Sequence, residues 1–402
     1  MIYLFEYFVL HCVSEVTQMT ENKRKTSAYI HIPFCEHICY YCDFNKVFLE
    51  GQPVDEYIQL LLKEIELTTQ QHPVDIAETI YIGGGTPTSL SANQLDTLLA
   101  GIHRLMPTNT TKEFTVEANP GDLTEDKLQV MKNHGINRLS MGVQTFNNRL
   151  LKKIGRKHTA EDVYETVRLL EKNQFDNVSI DLIYALPGQT LEDFRDTLHR
   201  AIDLGLPHYS MYSLILENKT MFMNWVRQGR LELPSQEVET RMFEEAIEAM
   251  AKAGHQQYEI SNFATPGKES QHNLVYWNNE NYYGFGAGAS GYLGNTRYKN
   301  FGPIQHYLRP LRENHLPTAE TEELSLKNQM EEEMFLGLRK LKGISQKHFS
   351  EKFGTTFSDV YGKVLPELID TNWLTIDGDR VHLTQEGLFI GNDVFEKFLL
   401  PK

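Results

Sequence analysis

Cysteine is scarce in this chain, basic charge is in deficit, and no long uninterrupted apolar run occurs. Four cysteines among 402 residues, three of them crowded between Cys35 and Cys42, make no disulfide framework and indicate a reducing, cytoplasmic setting. A formal net charge of -15 leaves no excess of lysine and arginine to displace counterions from a phosphate polymer, so nucleic acid is not an expected partner. No segment reaches the roughly 20 apolar residues of a membrane-spanning helix, which limits any membrane contact to the periphery. The apolar stretch before Val16 lacks a preceding Lys or Arg, is interrupted by Glu6 and has no small-residue cleavage site, so it does not read as a secretory signal. Met19 opens a polar segment typical of a protein start; residues 1–18 are expected to derive from an upstream start codon or to form an accessory segment.

With 41% hydrophobic and 23% charged residues, the chain has the composition of an ordinary core-forming protein. From Ser27 onward β-rich runs alternate with amphipathic stretches. Strands are predicted over Ala28–Pro33, Thr79–Gly83, Glu113–Ala118, Arg138–Val143, Val178–Tyr184 and Tyr209–Leu214. Helices are predicted over Asp55–Thr69, Ser91–Leu105, Glu125–His134, Ala160–Asn173 and Leu191–Leu204. Within the first of these, Ile58, Leu61, Leu62 and Ile65 share one helical face. Repeated βα units imply parallel strands with right-handed crossovers, fitted better by an open, partial (β/α)6 barrel of the TIM type than by a nucleotide-binding doubly wound sheet, an alternative that the strand and helix pattern leaves open. A further helix is predicted over Gln236–Gly254. Beyond it, helices over Met330–Leu341, Ser345–Phe353 and Val360–Thr371, followed by a hairpin through Asp377-Gly378-Asp379, give a winged-helix-like pattern. Asp359, Glu367 and Asp370 on its last helix would repel phosphate, so this module is read as structural or partner-facing. The expected division is residues 1–26 as an N-terminal extension, 27–305 as the barrel core, and 306–402 as a C-terminal helical domain.

The triad Cys35, Cys39 and Cys42 has the spacing C-x3-C-x2-C. Three thiolates leave one iron of a [4Fe-4S] cluster without a protein ligand, a place to bind and activate another molecule. Zinc is the alternative, poorly served by three thiolates with no further His or Cys nearby; a chance trio of core cysteines is the bland one. Chemistry in such folds gathers at the C-terminal strand ends. Those ends carry Gly84-Gly85-Thr86, Glu117, Gln144 and Asp181, and turn chemistry accounts for any one of them alone. Together they describe a ligand-binding rim.

The segment from Tyr29 to Phe44 resembles the radical S-adenosylmethionine (SAM) superfamily. Within it, the motifs His31-Ile-Pro-Phe-Cys35, Gly83-Gly-Gly-Thr-Pro-Thr88, Glu117-Ala-Asn-Pro120, Gly142-Val-Gln-Thr-Phe146 and Asp181-Leu-Ile-Tyr-Ala-Leu-Pro-Gly-Gln-Thr190 resemble the oxygen-independent coproporphyrinogen III oxidase group over roughly residues 27–300. The resemblance implies a [4Fe-4S] cluster on the triad and SAM on its open iron. It further implies SAM contacts from Tyr29, Tyr41, Gly84, Gly85, Thr86, Glu117, Gln144, Arg156 and Asp181. Members that oxidise coproporphyrinogen carry a fourth cysteine two residues after the third, where this chain has Phe44. The sequence is therefore more similar to the branch that acts as a heme chaperone, delivering heme to membrane respiratory proteins. His272, Tyr276 and Trp277 match that branch's H-N-x-x-Y-W signature and are implied as heme contacts: an imidazole for iron and flat rings for the porphyrin. Radical decarboxylation of coproporphyrinogen III stays as the alternative, so whether the chain is an enzyme is open, as is a homodimer.

Overall fold

The computed structural model describes residues 24–401, and the expectation about residues 1–18 lies outside them. Six parallel strands follow in chain order: β1 (Lys25–Ile32), β2 (Ile76–Gly84), β3 (Glu113–Ala118), β4 (Arg138–Gln144), β5 (Val178–Tyr184) and β6 (His208–Ser213). Helices α1 (Val54–Gln71), α2 (Ala92–Leu105), α3 (Glu125–Asn133), α4 (Asn148–Lys153), α5 (Ala160–Lys172) and α6 (Leu191–Asp203) lie on the crossovers. Then come α7 (Met221–Arg227), α8 (Gln236–Lys252), the antiparallel pair β7 (Gln256–Glu259) and β8 (Asn262–Ala264), and α9 (Gln271–Trp277). Strands β9 (Tyr282–Phe285), β10 (Ser290–Leu293), β11 (Thr296–Asn300) and, after α10 (Ile304–Arg312), β12 (Thr318–Glu323) extend the other edge. Among the described residues these form one 12-stranded open sheet, ordered β12-β11-β10-β9-β1-β2-β3-β4-β5-β6-β8-β7. The partial barrel is thus the architecture, with a seventh parallel strand: β9 pairs in parallel with β1, Ser27 opposite Tyr282.

Strand residues alternate between two environments, as a pleated backbone demands. Along β4, Leu139, Met141 and Val143 join the apolar core beneath the helices, whereas Arg138, Ser140, Gly142 and Gln144 line the barrel interior. The same alternation sends Ile80 and Ile82 outward from β2 and Tyr81 inward, and Ile180 and Leu182 outward from β5 and Asp181 inward. Apolar burial outside the sheet holds the barrel together, which frees its inside for polar groups. Helices α2, α5 and α6 each start at a reciprocal capping box, Ser91 with Gln94, Thr159 with Asp162 and Thr190 with Asp193. These caps fix the loops that lead out of the C-terminal strand ends.

The C-terminal region has its own apolar cluster, built from Met334, Phe349, Phe357, Tyr361, Leu368, Val381 and neighbours. It comprises α11 (Leu326–Gly337), β13 (Ile344–Ser345), α12 (Gln346–Phe353), α13 (Phe357–Tyr361), α14 (Leu365–Asp370), β14 (Leu374–Asp377), β15 (Arg380–Leu383), α15 (Gln385–Phe389) and α16 (Gly391–Glu396). The hairpin forms as expected and gains β13 as a third strand. The helix expected over Val360–Thr371 is instead two short helices. Its chain turns at Gly362, and Pro366 sits in the first turn of α14, where its missing N–H costs no hydrogen bond.

Candidate functional site

A cavity of about 460 Å³ opens at the C-terminal strand ends and runs down inside the barrel. Cys35, Cys39 and Cys42 all line it, and all three are free thiols. Their loop is tied down at both ends. Phe34–Cys35 pairs with Val47–Phe48, and Asn45 Nδ2 donates to the carbonyls of Ala287 (2.8 Å) and Gly302 (2.9 Å). In the middle, Tyr40 N–H donates to Ile154 O (3.1 Å) while its ring packs on Trp225 at 5.1 Å. Thr86 Oγ1 donates to Cys35 Sγ at 3.7 Å, and burial pushes that thiol up to about 11. Among the described residues no three His, Cys, Asp or Glu side chains are grouped as a single metal ion requires. Three free thiols on one cavity wall are soft donors of the kind that hold iron–sulfur clusters.

Eight of the nine residues expected at SAM line the same cavity: Tyr41, Gly84, Gly85, Thr86, Glu117, Gln144, Arg156 and Asp181. Arg156 reaches in beside the triad, donating from Nη1 to Asn119 Oδ1 (2.6 Å) and from Nη2 to Tyr41 OH (2.9 Å). Glu117 accepts from Tyr81 OH (2.8 Å) and Gly84 N–H (2.9 Å), and burial raises its carboxyl to about 7. Gln144 ends its strand in the left-handed region, φ 68. Tyr29 is the exception. Its hydroxyl bonds His31 Nδ1 (2.9 Å), its ring stacks on Tyr81, and it is not part of the lining. The glycines have a reason beyond ligand approach: a Cβ on Gly84 would lie 2.4 Å from the His31 ring, and one on Gly85 would lie 2.8 Å from the Pro33 carbonyl. Absent side chains let the loop press onto β1.

The H-N-x-x-Y-W segment is α9, lying against β2 and β3 at the end of the barrel opposite the triad. Glu113 accepts the backbone N–H groups of Gln271 and His272, both at 2.9 Å. His272, expected to offer an imidazole to heme iron, is 1% exposed. Thr79 Oγ1 engages its Nδ1 (2.7 Å), Tyr276 OH its Nε2 (2.9 Å), and Tyr81 stacks on the ring. Burial and the nearby Arg138 charge lower its pKa to about 3, so it is neutral. Tyr276 packs edge-on against Tyr282, and Trp277 lies beneath the Arg339 guanidinium at 4.5 Å. Only Asn273 of this segment reaches the cavity. Tyr81, Arg138, Ser140 and Ser210 also line it, signalled in the sequence by polar residues at every second position of apolar strands rather than by strand-end motifs.

An open parallel barrel with a cysteine triad at its mouth is the architecture of the radical SAM superfamily, whose model matches residues 29–201; a HemN C-terminal domain model matches residues 324–390. Heme chaperone HemW of Lactococcus lactis subsp. lactis (strain IL1403) is 51% identical over 381 residues, 94% of this chain and 98% of that protein. Heme chaperone HemW of Bacillus subtilis (strain 168) is 50% identical over 374 residues, 93% and 99% of the two chains. The chain belongs to the HemW family within the radical SAM superfamily. In fold it also matches the solved structure of coproporphyrinogen III oxidase (HemN) from Escherichia coli, with TM-score 0.83, 24% identity and coverage of 94% and 90%. Superfamily membership implies a [4Fe-4S] cluster and SAM. Among the described residues no helix is long and apolar enough to cross a membrane.

Proposed function

We propose that this protein is a cytoplasmic heme chaperone that holds a [4Fe-4S] cluster on Cys35, Cys39 and Cys42, binds SAM along the adjacent strand ends, and passes heme to membrane respiratory proteins. The observation that carries the cofactor reading is the convergence of the three thiols and eight strand-end and loop residues on one cavity. When bound, a cluster with one iron free of protein thiolate supplies a reducible Lewis-acidic centre. Arg156, held by Asn119 and Tyr41, presents a fixed cation beside that centre, suited to a carboxylate. Glu117 and Asp181 offer carboxyl oxygens for ribose hydroxyls. Heme enters the reading through the relatives' names and through Phe44, 63% exposed at the mouth where the oxidising branch has cysteine. Residues 27–305 would act as the cofactor-binding body and 306–402 as a partner-facing module.

The test joins iron analysis to heme titration. Anaerobically reconstituted wild type is expected to hold four irons and to bind heme, and Cys39→Ser to lose the cluster absorbance. A Cys39→Ser variant that retains four irons would sink the triad assignment. Conversion of coproporphyrinogen III to protoporphyrinogen by wild type with SAM and reductant would replace the chaperone reading with the dehydrogenase.

A further inference from the structure

Arg138 opens β4, lines the cavity and is 2% exposed, and its buried Nε has no hydrogen-bond partner among the described residues. Its nearest carboxylate, Glu113, is 3.9 Å away, beyond hydrogen-bond range, with both oxygens already taken by the backbone of Gln271 and His272. Asp181 faces the same space and accepts from Ser140 Oγ at 3.3 Å. The two flanking histidines are committed through both nitrogens: His208 to Ser179 and Tyr258, His272 to Thr79 and Tyr276. A guanidinium carries five N–H donors and stays charged. A buried guanidinium whose Nε lacks a partner is stabilised when a ligand or water takes up its donors.

We propose that Arg138, with Ser140, Ser210 and Asn273 of the same cavity lining, forms a subsite for the carboxylate arm of the cavity's ligand. A planar carboxylate matches the guanidinium fork bidentately. A doubly charged phosphate would meet the Asp181 and Glu117 carboxyls that share the space. Two ligands in the proposed function carry this chemistry, a heme propionate and the amino-acid carboxylate of SAM. Arg138 and Gln144 stand at opposite ends of β4, about 20 Å apart at the usual rise per residue. Arg156 already serves the mouth, so the propionate is the source assigned here, an assignment that rests on the heme-chaperone reading.

The experiment titrates the reconstituted full-length protein with heme and with heme dimethyl ester, whose propionates are uncharged, and measures SAM binding by equilibrium dialysis. Wild type is expected to prefer heme to the diester. Arg138→Gln is expected to weaken heme binding about 10- to 100-fold and to leave the diester and SAM unchanged. Arg138→Lys keeps a cation beside Glu113 and Asp181, so it carries the test if the glutamine variant does not fold; its expected loss for heme alone is about tenfold. A natively melting variant that binds heme as wild type does, or loses heme and diester equally, overturns the subsite. Loss of SAM binding with heme unchanged keeps the subsite and assigns its carboxylate to SAM. Wild type that binds neither tetrapyrrole overturns the proposed function itself, and this assignment with it.

Discussion

A histidine ligates iron through a ring nitrogen, and both of His272's are engaged, one with Thr79 and the other with Tyr276. Removing the ring would leave a cavity and two hydroxyls without partners in a buried site, at a cost of about 2–4 kcal/mol. His272→Ala is therefore expected to lower the midpoint of urea unfolding while the folded protein keeps its heme absorbance. Loss of that absorbance with unchanged stability would make His272 the iron ligand. At this scale the triad and most of its companions are legible in the sequence, because glycines and acids stand out at strand ends. Arg138 and Ser140 are legible in a different way, as the polar half of the period-two pattern Arg-Leu-Ser-Met-Gly-Val-Gln, whose apolar half packs under the helices. The burial of His272 is not, since its partners Thr79 and Tyr81 belong to a strand far away in sequence.

Elements join where single buried groups link several of them. Glu64 of α1, 2% exposed, accepts from Gly286 N–H (2.8 Å), Asn300 Nδ2 (2.6 Å) and Tyr307 OH (2.5 Å), tying α1 to the loop after β9, to β11 and to α10. Burial outweighs those three hydrogen bonds and raises its carboxyl from 4.5 to about 7. The folded state then holds a proton that the unfolded state has lost between those two pH values. Glu64's contribution is full below pH 4.5 and is lost as pH rises through 7. In that window wild-type stability is expected to fall more steeply than that of Glu64→Gln, by up to about 1.4 kcal/mol per pH unit. Equal slopes in denaturant melts across the window would contradict this. The same edge of the sheet is where the sequence is least transparent. Tyr283-Gly284-Phe285-Gly286-Ala287-Gly288 has the composition of a turn, yet its first half is a parallel strand. A Cβ on Gly284 would stand 2.0 Å from the Ser290 carbonyl, so glycine is there for close backbone approach.

At the scale of the whole molecule, α9 connects the barrel to the C-terminal region. Its first turn rests on Glu113 and Asn273 reaches the cavity, while Trp277 lies under Arg339 and Asn278 Oδ1 accepts from Lys340 Nζ at 2.6 Å. Backbone bonds from Ile260 N–H to Arg339 O and from Leu341 N–H to Tyr258 O, both 3.1 Å, continue that seam. The signature helix is thus part of the barrel's closure and of its contact with the helical module. The alternation of βα units makes the body of this architecture readable, because each crossover helix has one apolar face and each strand one apolar side. The contact between the two regions involves neither pattern and becomes visible only in three dimensions. The proposal that the assembled molecule carries heme for other proteins is tested most directly by transfer. Reconstituted protein loaded with one heme is mixed anaerobically with membrane vesicles containing a heme-depleted respiratory b-type cytochrome, and the acceptor's absorbance is followed. The account predicts that the acceptor gains its heme spectrum as the donor loses its own. Heme that stays on the donor, or that reaches the acceptor no faster than free heme does, would contradict it.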